Sequence, residues 1–150
     1  LGISHTICSV FQHHVLNRHL NRYDLGIDET EDDRRYRTAS CYLADVAWRA
    51  HPDFRADQYI GIIANAGFVG ISHEGRAFLA IANYHRYQGL GSKVKSPVIA
   101  SLARPRSVKR ARILAALFRV LYLFSSTMPG IIPQLKLNRK NDKVIELLNL

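Results

Sequence analysis

Three features of this sequence predict a mainly α-helical fold. Apolar residues recur at helical spacing in one segment after another, Pro and Gly punctuate those segments, and a period-two alternation occurs only from Leu135 onward. The expectation is about six helices followed by a small C-terminal β-hairpin.

The first helix is expected over roughly residues 3–22, where Ile3, Ile7, Val10, Phe11, Val15, Leu16 and Leu20 form one apolar stripe. His5, His13, His14 and His19 lie along it. His13 and His14 point about 100° apart on a regular helix and cannot chelate one ion together, so these are read as surface or boundary histidines. Residues 24–33 form an acidic, turn-rich connection in which Asp28 or Thr30 can cap the second helix. The first turn of that helix carries Glu31, Asp32 and Asp33 against the positive end of its dipole.

The second helix is expected to run to about Ala50, with Leu43, Val46, Ala47 and Ala50 inward and Asp45 and Trp48 on nearly the same side. Pro52 disfavours a helical His51, and Asp53 is the expected cap of a third helix, so two helices should meet at a sharp corner. The third helix is expected over about residues 53–68, with Tyr59, Ile60, Ile62, Ile63 and Ala66 apolar and Gly61 allowing a neighbour to come close. Gly67 and Gly70 turn the chain.

Ser72 should cap a fourth helix ending near Tyr87, with Phe78, Leu79, Ile81, Ala82 and Tyr84 inward, and Gly89, Gly91 and Ser92 should end it. Pro97 opens a short fifth helix to Leu102. Arg104-Pro105 separates it from a long sixth helix over about residues 106–126, which Pro129, Gly130 and Pro133 stop. Leu135 and Leu137 alternate with Lys136, Asn141-Asp142 supplies a turn, and Val144, Ile145 and Leu147 resume, which is a hairpin pattern.

A chain of 150 residues with 47% hydrophobic and 22% charged residues can bury a core without disulfides or metals and is expected to form one domain, residues 1–150. Cys8 and Cys41 have no CxxC spacing and fit reduced core residues of a cytoplasmic protein. The longest apolar run, residues 113–124, is interrupted by Arg119 and is too short to span a bilayer, so no membrane role is expected. The chain starts at Leu1 and enters helical periodicity at once, which suggests a part of a longer polypeptide.

Charge points to the class of ligand. The net charge is +9, and between Glu74 and Asp142 there is no acidic residue in 67 positions that hold thirteen lysines and arginines. Arg104, Arg106, Lys109, Arg110 and Arg112 crowd the start of the sixth helix, whose N-terminal amides already favour anions. Arg106, Lys109, Arg110 and Arg112 are therefore candidate contacts to a polyanion, with Arg86, Lys93 and Lys95 as weaker ones. The alternative is a solvated face paired with the acidic residues 24–33. Nucleic acid is the weaker polyanion, because the basic stretch lacks interleaved aromatics and no helix-turn-helix, zinc-finger or RNA-recognition signature is present. Arg119, on an apolar helix, either reaches an edge or is buried with a carboxylate, Asp45 being the first candidate.

The run from Arg35 to His85 resembles the C-terminal helical domain of bacterial exopolyphosphatases of the Ppx/GppA family, particularly the alphaproteobacterial branch. The residues that carry the resemblance are Cys41-Tyr42-Leu43-Ala44-Asp45, Trp48-Arg49-Ala50-His51-Pro52-Asp53-Phe54-Arg55 and His73-Glu74-Gly75-Arg76-Ala77-Phe78-Leu79-Ala80. Arg110-Ala111-Arg112 and residues 116–133 are similar as well. The resemblance implies an HD-like helical domain, named for a His-Asp metal pair. Here that position reads Ala44-Asp45, and the late aspartate of an intact site falls at Tyr122. Asp45 and Arg119 are thus expected as structural remnants, with no metal in this chain.

The same resemblance implies that the complete protein shortens inorganic polyphosphate by releasing orthophosphate, with relatives acting on guanosine pentaphosphate. Catalysis would belong to an N-terminal actin-like domain, absent from this chain, that uses a glutamate base and magnesium or another divalent metal. The C-terminal domain would help grip the substrate and form part of a homodimer contact. The alternative is a structural and dimerisation domain that never touches substrate.

Overall fold

The computed structural model describes residues 28–125, 135–141 and 144–149. The helix expected over residues 3–22, its histidines, Cys8 and the stop at residues 129–133 lie outside the described residues. The elements are α1 (Glu31–Tyr42), a 3-10 turn (Pro52–Phe54), α2 (Arg55–Asn65), α3 (His73–Gln88), α4 (Pro97–Leu102), α5 (Pro105–Ser125), β1 (Leu135–Asn141) and β2 (Val144–Asn149). The fold is mainly helical. The chain divides into two compact units: Asp32–Arg119, and Leu1–Glu31 with Val120–Leu150.

The unit Asp32–Arg119 is built around α3. Its residues from Ala77 to Arg86 are all buried, as expected of a helix enclosed on every side. Ser72 caps it as the sequence predicts, its Oγ accepting from the Gly75 amide at 3.0 Å. Gly89, at φ 96°, ends it by donating its N–H to the His85 carbonyl at 2.9 Å, a conformation that favours glycine. Onto this axis α2 lays Tyr59, Ile60 and Ile63, α4 contributes Ile99, and α5 contributes Ala111, Leu114, Ala115, Leu117 and Phe118.

The second helix is shorter than its apolar periodicity suggests: α1 ends at Tyr42, not near Ala50. Beyond it the amides of Ala44, Val46, Trp48 and Ala50 each bond to the carbonyl three residues back. The Ala44 carbonyl, which a continued α-helix would offer to the Trp48 amide, instead accepts from Arg86 Nη1 and the Tyr87 hydroxyl. The inward set follows this tighter spacing. Cys41, Ala44 and Ala47 are buried three apart, while Val46, expected inside, is exposed.

The corner at Pro52 forms, but His51 caps it in place of Asp53: its Nδ1 accepts from the Asp53 amide at 3.3 Å. The third predicted helix contracts to α2, and Ile62 faces solvent. A Cβ on Gly61 would meet nothing within 4 Å among the described residues. The close approach lies instead at Gly75, where a Cβ would stand 2.6 Å from Cζ of the Tyr36 ring. Glycine there lets α1 and α3 touch through Tyr36, whose hydroxyl also bonds Ser72 Oγ at 2.8 Å.

In the other unit β1 and β2 pair antiparallel, with Leu137 opposite Leu147 and Arg139 opposite Ile145. The register is irregular between Arg139 and Asn141, next to the predicted turn. Across the pair Lys140 and Glu146 form an ion pair at 2.8 Å. Among the described residues no helix is long and apolar enough to cross a membrane.

Candidate polyanion-binding face

Each cation selected from the sequence now has an environment. Arg106 Nη2 meets Asp33 Oδ2 at 2.8 Å, and Arg110 Nε stands 3.5 Å from Asp33 Oδ1 with its side chain only 9% exposed. Asp33 closes the acidic segment that the sequence offered as the alternative partner of the basic cluster. Glu74 does similar work one helix away: it accepts from Ser107 Oγ at 2.6 Å and pairs with Arg104 at 3.4 Å. The N-terminal turn of α5 is thus clasped by two carboxylates, and its densest basic cluster is partly neutralised within the fold.

Arg86 is buried. Its guanidinium bonds the Ala44 carbonyl, Asp45 Oδ1 at 2.6 Å and the Tyr87 hydroxyl at 3.1 Å, and lies over the Tyr87 ring at 4.5 Å. Asp45 therefore pairs with Arg86, and not with Arg119 as in the second of the two placements open to that arginine. Desolvation raises the Tyr87 phenol above its ordinary pKa, against the lowering effect of the Arg86 charge. Lys95 is exposed and sits 3.3 Å from Asp57. Arg86 and Arg110 are consequently internal staples and leave the solvent-facing set.

Lys109, Arg112 and Arg119 remain exposed on α5. Arg112 Nη2 donates to the Leu90 carbonyl and Arg119 Nη1 to the Arg86 carbonyl, each at 2.9 Å. Both acceptors are neutral, so both guanidinium charges persist. None of the three cations has a carboxylate partner among the described residues. Positions three and seven apart fall along one side of a helix, and ten residues at about 1.5 Å each extend this row over about 15 Å. Arg119 thus reaches an edge of its helix, the first of the two placements foreseen for it. Lys93 is also exposed, on the loop between α3 and α4, with its backbone carbonyl held by the Tyr84 hydroxyl at 2.9 Å.

The model for the exopolyphosphatase C-terminal family matches residues 16–149. The chain belongs to that family. No curated protein matches it at a significant level. In this exopolyphosphatase C-terminal domain, Ala44-Asp45 occupies the position where the resemblance would put a His-Asp metal pair, and Asp45 is already engaged by a guanidinium. No group of three His, Cys, Asp or Glu side chains able to hold a metal occurs among the described residues. Among the described residues, the single carboxylate Asp45, shared with Arg86, offers no converging ligand set.

What sequence reasoning missed is the division of labour among the cations. Arg106 and Arg110 are four apart and face Asp33, whereas Lys109 and Arg112 face outward. The i, i+4 spacing and the acidic segment were both visible, but which of the two rows Asp33 would take was not.

Proposed function

We propose that this chain is the C-terminal accessory domain of an exopolyphosphatase and that it holds inorganic polyphosphate along the row Lys109, Arg112 and Arg119, with Lys93 beside it. The reaction would be hydrolysis of the terminal phosphoanhydride, releasing orthophosphate from a shortened chain in the cytoplasm. The catalytic glutamate and the divalent metal, magnesium or another, would belong to an N-terminal actin-like domain that partners this one. The observation that supports the reading is that these cations stay exposed, with no carboxylate partner among the described residues, while their neighbours are partly neutralised. A row of charges without nearby acids suits a linear polyanion, and contact with it releases counterions.

A second reading has its own support: Arg86, Lys95, Arg106 and Arg110 are all taken up by the fold's own carboxylates, as in a domain whose work is structural. Under it the domain would serve dimerisation, and the parent enzyme could act on polyphosphate or guanosine pentaphosphate without touching either here.

A titration of the chain with long-chain polyphosphate at low and moderate salt, against a DNA duplex of equal charge, separates the two. Binding that favours polyphosphate, weakens steeply with salt and falls in the Lys109→Glu/Arg112→Glu variant supports the grip. Equal binding to both polyanions, or none, supports the structural reading.

A further inference from the structure

The loop that follows α3, Gly89-Leu90-Gly91-Ser92, lies under the two α5 arginines that hold neutral acceptors. Arg112 bonds the Leu90 carbonyl at 2.9 Å, and a Cβ on Gly89 would sit 4.0 Å from Arg119 Nη1, so both guanidiniums border this loop. The loop is pinned at each end. The Gly89 amide donates to the His85 carbonyl at 2.9 Å, Ser92 Oγ to the Gln88 carbonyl at 3.1 Å and the Ser92 amide to the Gly89 carbonyl at 3.4 Å. With Arg119 on the Arg86 carbonyl, these bonds occupy carbonyls at the negative end of α3 that would otherwise repel an anion.

The amides of Leu90 and Gly91 have no acceptor among the described residues, and Gly91 has nothing within 4 Å of a Cβ position. Two free amides in a glycine-bearing loop, flanked by two guanidiniums with donors to spare, are the components of a phosphate cradle. Each of the six carboxylates in the unit Asp32–Arg119 faces a basic side chain: Asp32 meets Arg35, Asp33 meets Arg106, Asp45 meets Arg86, Asp53 meets His51, Asp57 meets Lys95 and Glu74 meets Arg104.

We infer that the Gly89–Ser92 loop, with Arg112 and Arg119, is a discrete subsite for a single phosphate group of a polyphosphate chain. The inference rests on the proposed grip and deepens it, turning a diffuse basic row into a row with one position that recognises phosphate geometry. Lys109 and Lys93 then supply charge alone, while Arg112 and Arg119 supply bidentate contacts that lysine cannot reproduce.

The test is amide NMR of the chain titrated with inorganic tripolyphosphate, alongside long-chain polyphosphate binding. Saturable shifts at Leu90, Gly91 and Ser92, with a tenfold or greater loss of tripolyphosphate affinity in Arg112→Lys and Arg119→Lys variants of unchanged circular dichroism, support the subsite. Loop amides that stay unmoved while long-chain polyphosphate still binds overturn the subsite and spare the grip. Absence of binding to either phosphate form overturns both.

Discussion

Asp45 Oδ1 and Arg86 Nη2, 41 residues apart in sequence, meet at 2.6 Å, and the same guanidinium reaches the Ala44 carbonyl. One side chain thus ties the irregular segment after α1 to the central helix and takes the carbonyl that a continued helix would offer to the Trp48 amide. The Arg86 side chain is 7% exposed and that of Asp45 26%, so removal of the arginine strands a carboxylate with restricted access to water. Arg86→Ala should cost about 3 kcal/mol, the low end for breaking a buried pair, and lower the melting temperature by on the order of 10 °C. Arg86→Lys should recover little of this, because one ammonium cannot serve both acceptors in the plane of a fork. Thermal unfolding followed by circular dichroism checks both variants.

Gly75→Ala should destabilise by about 2 kcal/mol, since its methyl group would overlap the Tyr36 ring and the neighbouring helices have little room to part. Tyr36→Phe keeps the ring and should give no relief when combined with it, whereas Tyr36→Leu should recover part of the loss. A double-mutant cycle in urea measures the coupling directly.

The contrast between those two sites marks what the sequence could disclose. Caps and breakers act over a few residues, so Ser72, Gly89, Pro97 and Pro105 placed the ends of α3, α4 and α5 almost where they lie. The irregular segment after α1 is held by Arg86 and Tyr87, side chains more than forty positions away, whereas apolar spacing alone extended the helix by a further eight residues. Glycine was equally ambiguous: Gly61 and Gly75 both sit inside helical patterns, and only the position of Tyr36 tells which one permits contact. At the candidate site the basic character of α5 was legible. Which cations face Asp33 and Glu74 was not, because that requires the packing of α1 and α3 against α5.

Arg110 and Lys109 are adjacent and should respond oppositely to charge reversal. Arg110→Glu places a carboxylate beside Asp33 at a 9%-exposed side-chain position, and should unfold or strongly destabilise the domain before any binding is read. Lys109→Glu, on the exposed row, should leave the melting temperature within about 2 °C. The same change should weaken polyphosphate binding and reduce the slope of log affinity against log salt by about 1. Measuring stability and salt-dependent binding on both variants separates a staple from a contact.

The last prediction concerns alkaline pH. Tyr59 is completely buried and its phenol is held well above its ordinary value of 10.0, first by desolvation and then by the neighbouring Tyr87, against the lowering effects of Arg86 and of the Asn83 hydrogen bond. A group whose folded pKa is raised contributes its full stability below the unfolded pKa and loses it as pH climbs toward the folded one. Below pH 10 the phenol is neutral in both states and stability is insensitive to it. Above pH 10 the unfolded chain releases the proton while the folded chain retains it, so stability should fall by about 1 kcal/mol per pH unit for this phenol. Tyr87, raised in the same direction, should add to the slope. The urea midpoint should therefore decline between pH 10 and 11 more steeply for the native chain than for Tyr59→Phe, which has no proton to lose there. Asn83 Nδ2 keeps the Ser40 and Leu79 carbonyls as acceptors in that variant, so its baseline stability should drop only modestly. Equal slopes for the two proteins would mean that Tyr59 ionises in the folded state as readily as in water, which its burial between α2 and α3 forbids.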